Sequence, residues 1–146
     1  MKTTLNAIRA HGPCESGWRK LLAHLGKTAA DDAPLSIATV LDSNGLEDAL
    51  WCLRAVSGHD REIRLFAVWC ARQVQPLMED PRSLAALDVA ERFARDEATD
   101  AERSAAWSAA AWAAAWSAAW SAAWSAAAQE VELRRVIAAC DPEVKL

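Results

Sequence analysis

From Ser104 to Ala128 the chain uses only alanine, serine and tryptophan, with tryptophans at 107, 112, 116, 120 and 124. Alanine is the strongest helix former, and a run without glycine, proline or a β-branched residue predicts a single helix. The start is also written in: Thr99-Asp100-Ala101-Glu102 fits a capping box with two acids in the first turn, where the helix dipole favours them. Arg134 and Arg135 suit the last turn, and Asp141-Pro142 stops it. A helix from Asp100 to about Ala139 would be on the order of 60 Å long, more than a small domain can cover. Part of it is therefore expected to project, bend or take a partner.

At roughly 100° per residue, with Trp107 at zero, Trp112, Trp116, Trp120 and Trp124 fall near 140°, 180°, 220° and 260°, and the serines lie on the other half. Trp107 sits on the serine side. A spacing of four makes the row drift around the axis, as suits a partner helix crossing obliquely. The uncharged run is long enough to span a bilayer. It nevertheless lacks Leu, Ile, Val and Phe, and its tryptophans are spread along its length rather than gathered at two interfaces. An interfacial helix would carry Lys or Arg on its polar face, where this one carries Ser. The ridge is then either the core seam of a helical bundle or a contact surface, with Trp112, Trp116, Trp120 and Trp124 as the partner-binding residues.

With 146 residues the chain is expected to form one helical domain, a body over 1–98 and a long helix over 99–140. A net charge of −4 and no Lys/Arg cluster exclude a general nucleic-acid binder. Between Glu79 and Glu102 eight acids stand against three arginines, which suits either a basic partner or an ordinary solvated helix surface. Met1-Lys2-Thr3-Thr4-Leu5-Asn6 shows no apolar leader core, so a cytoplasmic protein is expected. Cys14, Cys52, Cys70 and Cys140 show no paired spacing and are read as reduced, buried thiols.

Before the tail, helices are predicted over about 3–10, 15–25, 35–43, 46–56, 60–77 and 81–96, with Gly26, Asn44-Gly45 and Ser57-Gly58 as stops, and no convincing strand. Asp80-Pro81 is a good cap and first position for the sixth. Within this pattern Ala49-Leu50-Trp51-Cys52-Leu53-Arg54-Ala55-Val56 echoes Ala67-Val68-Trp69-Cys70-Ala71-Arg72-Gln73-Val74. Two copies do not make a solenoid. They do single out Arg54 and Arg72, which would bind an anion or ligand if their tips met in one groove, or brace the surface if paired with Glu47, Asp48 or Glu62.

Catalytic motifs are absent: there is no phosphate loop, GxGxxG, HExxH or CxxC. His11 and Cys14 could supply half a zinc site, with His24, His59 or Cys140 as further ligands, but no second pair has matching spacing. Asp42-Ser43-Asn44-Gly45 with Glu47-Asp48 reads as a polar turn explained by turn chemistry. No catalytic residue and no cofactor are expected.

The strings Ile8-Arg9-Ala10-His11-Gly12-Pro13-Cys14, Leu41-Asp42-Ser43-Asn44-Gly45-Leu46-Glu47-Asp48-Ala49-Leu50-Trp51-Cys52-Leu53-Arg54-Ala55 and Arg64-Leu65-Phe66-Ala67-Val68-Trp69-Cys70-Ala71-Arg72-Gln73-Val74, followed by Asp80-Pro81-Arg82-Ser83, resemble a family of small phage and bacterial proteins described as immunity proteins of toxin systems. The resemblance covers roughly residues 5 to 140; the relatives commonly carry Ala-rich tails with repeated Trp, Arg or Asp, and this chain departs from them in using Ser where many place charged residues. It carries over no catalytic residue. It implies a non-enzymatic inhibitor that binds a toxin or a host defence component.

The expectation is thus an all-α protein, a helical bundle or short helical-repeat array whose long C-terminal Ala/Trp helix packs along the others. Its expected function is protein-binding inhibition, with no nucleic-acid or membrane partner. The alternatives are a small-ligand or nucleotide site built on Arg54, Arg72 and the tryptophans, or self-assembly through paired Ala/Trp helices.

Overall fold

The structure, a computed structural model, describes residues 1–73, 75–78, 80–109 and 126–140. In chain order its elements are β1 (Lys2–Thr3), α1 (Leu5–Ala10), α2 (Glu15–His24), β2 (Leu35–Ser36), α3 (Ile37–Asn44), α4 (Leu46–Cys52), α5 (Asp60–Gln73), α6 (Pro81–Ala94), α7 (Asp100–Ala109) and α8 (Ala126–Cys140). Short 3-10 turns follow α4 at Leu53–Ala55 and α5 at Gln75–Leu77. The fold is all-α: the two strands are two residues each, paired antiparallel with Lys2 opposite Ser36 and Thr3 opposite Leu35. The described residues gather into two compact units, residues 1–59 with 130–140, and the described part of 60–129.

In the first unit the small ladder delays the third helix relative to the expected start at Leu35. Leu35 and Ser36 are extended, and the Ser36 hydroxyl caps α3 by accepting the Ala38 N–H at 3.2 Å. Thr4 caps α1 in the same way through Ala7. Gly26, at φ +64°, stops α2 where its lack of a Cβ makes the left-handed turn inexpensive. The fourth helix is shorter than expected, because after Cys52 the chain tightens into the 3-10 turn. Met1, Leu5, Ile8, Ile37 and Val40 are buried in this unit, and so are Leu133 and Ile137 of α8. Arg134 of α8 reaches Asp42 of α3 at 2.6 Å.

In the second unit α5 and α6 run antiparallel, as the pairs Arg72–Asp88, Arg64–Phe93 and Arg61–Asp96 show. Val68 and Ala71 pack with Leu87 and Ala94, flanked by Leu65, Met78 and Ala90. The sequence spacing predicts one buried stripe on α5 at Ile63, Phe66, Ala67, Cys70 and Val74; the buried side takes in Phe66 and Cys70 together with Val68 and Ala71, while Ile63 and Ala67 are half-buried. Val74, the last member of that predicted stripe, lies outside the described residues. Asp80 caps α6, with Pro81 in the first position as the sequence suggests. The end of α6 is a Schellman turn with Asp96 at φ 62°, where glycine is usual; the Glu97 N–H reaches the Arg92 carbonyl and the Asp96 N–H the Phe93 carbonyl. The capping box opens α7 as predicted: the Thr99 N–H donates to Glu102 Oε2 at 2.8 Å, and the Glu102 N–H donates to Thr99 Oγ1 at 3.2 Å. These bonds, with the nearby Arg92 guanidinium, hold the Glu102 carboxyl below its usual pKa.

Candidate functional site

The sequence-predicted contact residues Trp112, Trp116, Trp120 and Trp124 lie outside the described residues. Arg54 and Arg72 belong to different units, and each has local partners. The Arg54 guanidinium lies 4.5 Å from the centre of the Trp51 ring, and its Nε donates to the Trp51 carbonyl. Arg72 donates to Glu91 at 2.6 Å, to Asp88 at 2.7 Å and to Gln75 at 3.1 Å. Partial burial disfavours its charge, but the bonds to Asp88 and Glu91 outweigh this and leave the Arg72 pKa raised. The partners suggested from sequence, Glu47, Asp48 and Glu62, are not the ones Arg72 uses. Of the metal-ligand candidates, His59 and Cys140 bring their donor atoms within 4.8 Å of each other, whereas Cys14 caps α2.

A different site emerges in the first unit, where the start of α2 meets the corner between α3 and α4. Gly12, at φ +69°, and Pro13 turn the chain so that Cys14 precedes α2, and its sulfur accepts the Gly17 N–H at 3.4 Å. Gly17 then presents bare backbone. A Cβ there would lie 2.7 Å from Asp48 Oδ2 and 3.1 Å from Cys14 Sγ. Asn44 exploits the close approach, its Nδ2 donating to the Gly17 carbonyl at 2.9 Å and to Asp48 Oδ2 at 2.7 Å. Ser43 in turn donates to Asn44 Oδ1 at 2.8 Å, which fixes which way the amide points. Gly45, at φ +97°, makes the corner that swings Glu47 and Asp48 into the first turn of α4, where the helix dipole favours carboxylates.

These contacts frame a cavity of about 210 Å³. Its apolar walls include Ile8, Leu21, Val40 and the indoles of Trp18 and Trp51, and its polar wall is Asn44, Glu47 and Asp48. Cys52 also lines it; burial first, and the Asp48 charge second, push this thiol up to about 11, with Arg54 opposing. Among the described residues neither Glu47 nor Asp48 has an ion-pair partner. A second, more open hollow of about 530 Å³ shares Pro13 and Trp18 with the first, so Trp18 stands between two concavities.

From sequence, Asn44, Glu47 and Asp48 have a turn role, with Glu47 and Asp48 also candidate partners of Arg54 or Arg72, and spacing places Trp18 with Leu21, Leu22 and Leu25 on the apolar face of the second helix. The overlooked signal was Gly17, a glycine inside a helix with no turn to make, which marks close approach of another chain segment. Among the described residues no helix is long and apolar enough to cross a membrane. No protein-family model, curated protein or solved structure matches the chain.

Proposed function

We propose that this chain is a non-enzymatic, protein-binding inhibitor of the immunity or phage anti-defence kind, acting in the cytoplasm against a basic toxin or host defence component. The observation that carries the reading is the concavity flanked by Trp18 and Trp51, with two carboxylates, Glu47 and Asp48, that have no ion-pair partner among the described residues, the nearby Lys20 ammonium donating instead to the Asn44 carbonyl at 3.3 Å. Aromatic anchors in desolvated pockets supply much of the energy of protein interfaces, and unpaired acids steer a basic partner to them. The strings on which the resemblance to immunity proteins rests include Cys14, Asn44, Glu47, Asp48, Trp51 and Cys52 of this same site. The charged side chains lining the cavity are the carboxylates Glu47 and Asp48, which repel a phosphate, and this favours the protein reading over a nucleotide pocket. The Trp112–Trp124 ridge enters the proposal as a second contact surface on the strength of its sequence alone.

The test is affinity capture from a host lysate with the intact chain and with a Trp116→Ala/Trp120→Ala form of equal helicity. Each retained protein is then expressed alone and with the chain. Growth arrest or defence activity that disappears on co-expression is the expected result. If no retained protein has an activity that the chain suppresses, the inhibitor reading fails.

A further inference from the structure

We infer that the cavity beside Gly17 seats a single arginine side chain presented by the partner. The inference rests on the inhibitor reading only for the source of that arginine. The size is right for one long side chain: about 210 Å³ bounded on several sides by Ile8, Leu21 and Val40. Its chemistry is divided. A guanidinium has an apolar stem and flat faces that stack on indole, and both Trp18 and Trp51 are available as walls.

The rim supplies the other half. Asp48 is oriented by Asn44 through Oδ2, and among the described residues Oδ1 accepts no hydrogen bond, leaving an acceptor whose position is set in advance. Glu47, one residue before it and exposed, adds a second carboxylate. A fork of parallel N–H groups matches such carboxylates better than the point charge of lysine, so arginine is preferred. Arg54 already covers part of Trp51 but does not line the cavity, so the protein's own guanidinium does not fill the place. Gly17 completes the arrangement, because any side chain there would collide with the carboxylate that receives the guanidinium.

The experiment titrates the full chain with Nα-acetyl-arginine amide, its lysine counterpart and its neutral citrulline isostere, followed by amide and indole NMR shifts. Saturable shifts at Gly17, the Asn44 side-chain amide and the Trp18 and Trp51 indoles are expected, with an affinity on the order of millimolar. Citrulline should bind at least about ten-fold more weakly, and Asp48→Asn should weaken arginine by a similar factor, the scale of a lost charge-assisted hydrogen bond. Equal binding of citrulline, shifts confined to other parts of the chain, or unchanged binding by a folded Asp48→Asn protein would overturn the inference. If Asp48→Asn does not fold, the citrulline comparison on the unaltered chain decides alone. A captured and neutralised partner retained equally by a folded Asp48→Asn form would leave the inhibitor reading standing and remove the arginine site. Saturable arginine binding without any neutralised partner would do the reverse.

Discussion

Replacing Leu133 with alanine tests the seating of α8 in the first unit. The side chain is 1% exposed, so truncation removes its apolar contacts and leaves a hole that its neighbours only partly close. Buried Leu→Ala changes cost about 3–5 kcal/mol for these two reasons together. Alanine is at least as good a helix former as leucine, so intrinsic helix propensity cannot account for a loss of this size. Against a total stability of about 5–15 kcal/mol this is a large fraction. In urea, with a slope of about 2 kcal/mol per molar, the unfolding midpoint should fall by roughly 1.5–2.5 M. Val131, on the same helix and 69% exposed, is the internal control; Val131→Ala should stay within about 0.5 kcal/mol of the unaltered chain. Denaturation followed by circular dichroism at 222 nm reads both. A Leu133→Ala loss below about 1 kcal/mol, or an equal loss in Val131→Ala, would refute the claim that the Leu133 face of α8 is core.

Asp96 holds a left-handed backbone that costs a non-glycine residue about 1 kcal/mol or more, while its contacts to Arg61 at 4.0 Å and Arg64 at 3.7 Å are long and exposed. Asp96→Gly should therefore raise stability by up to about 1 kcal/mol in the same urea titration; a clear loss would show that the arginine contacts outweigh the strain. Thiol labelling at pH 8 should modify exposed Cys14 fast and buried Cys52 and Cys70 slowly, with the fast phase abolished by Cys14→Ser and not by Cys52→Ser. Because the folded chain holds the Cys52 thiol near 11 against an ordinary 9.0, its contribution to stability is fully present below about pH 9 and is lost as the pH rises through about 11. A Cys52→Ala comparison across that window isolates it. Thr99→Ala should cost about 1 kcal/mol and increase hydrogen exchange at the Glu102 amide, whose acceptor it removes; unchanged exchange there would remove the cap from the account.

What could be read in the sequence was what is local. The capping box at Thr99 and Glu102, the Asp80-Pro81 start of α6 and the Gly26 stop are each decided within a few residues, and each is where expected. The Lys2–Thr3 and Leu35–Ser36 ladder escaped because a two-residue strand has no periodicity to detect. Asp96 escaped because an αL aspartate is a tolerated exception to the glycine signal. The cavity escaped for a different reason: the Asn44–Gly17 bond joins residues 27 apart, and neither helix period nor turn composition says which two helices will meet. Even so, every residue of its polar wall stood in strings already singled out; what was missing was Gly17 as the place where they converge.

The first unit is interrupted in sequence by the whole of the second, so Asp42 and its partner Arg134 are synthesised 92 residues apart. At translation rates of about 5–20 residues per second, α3 exists for roughly 5–20 s before the helix that carries Leu133 and Ile137 has been made. During that interval part of the first unit's apolar surface is without its cover, while the α5–α6 pair of the second unit has all its own residues in hand. The nascent chain thus passes through a stage in which an inner segment can be native and the segment preceding it cannot. Slowing or stalling the ribosome between residues 109 and 130 would lengthen that exposed stage without changing a single contact of the finished protein.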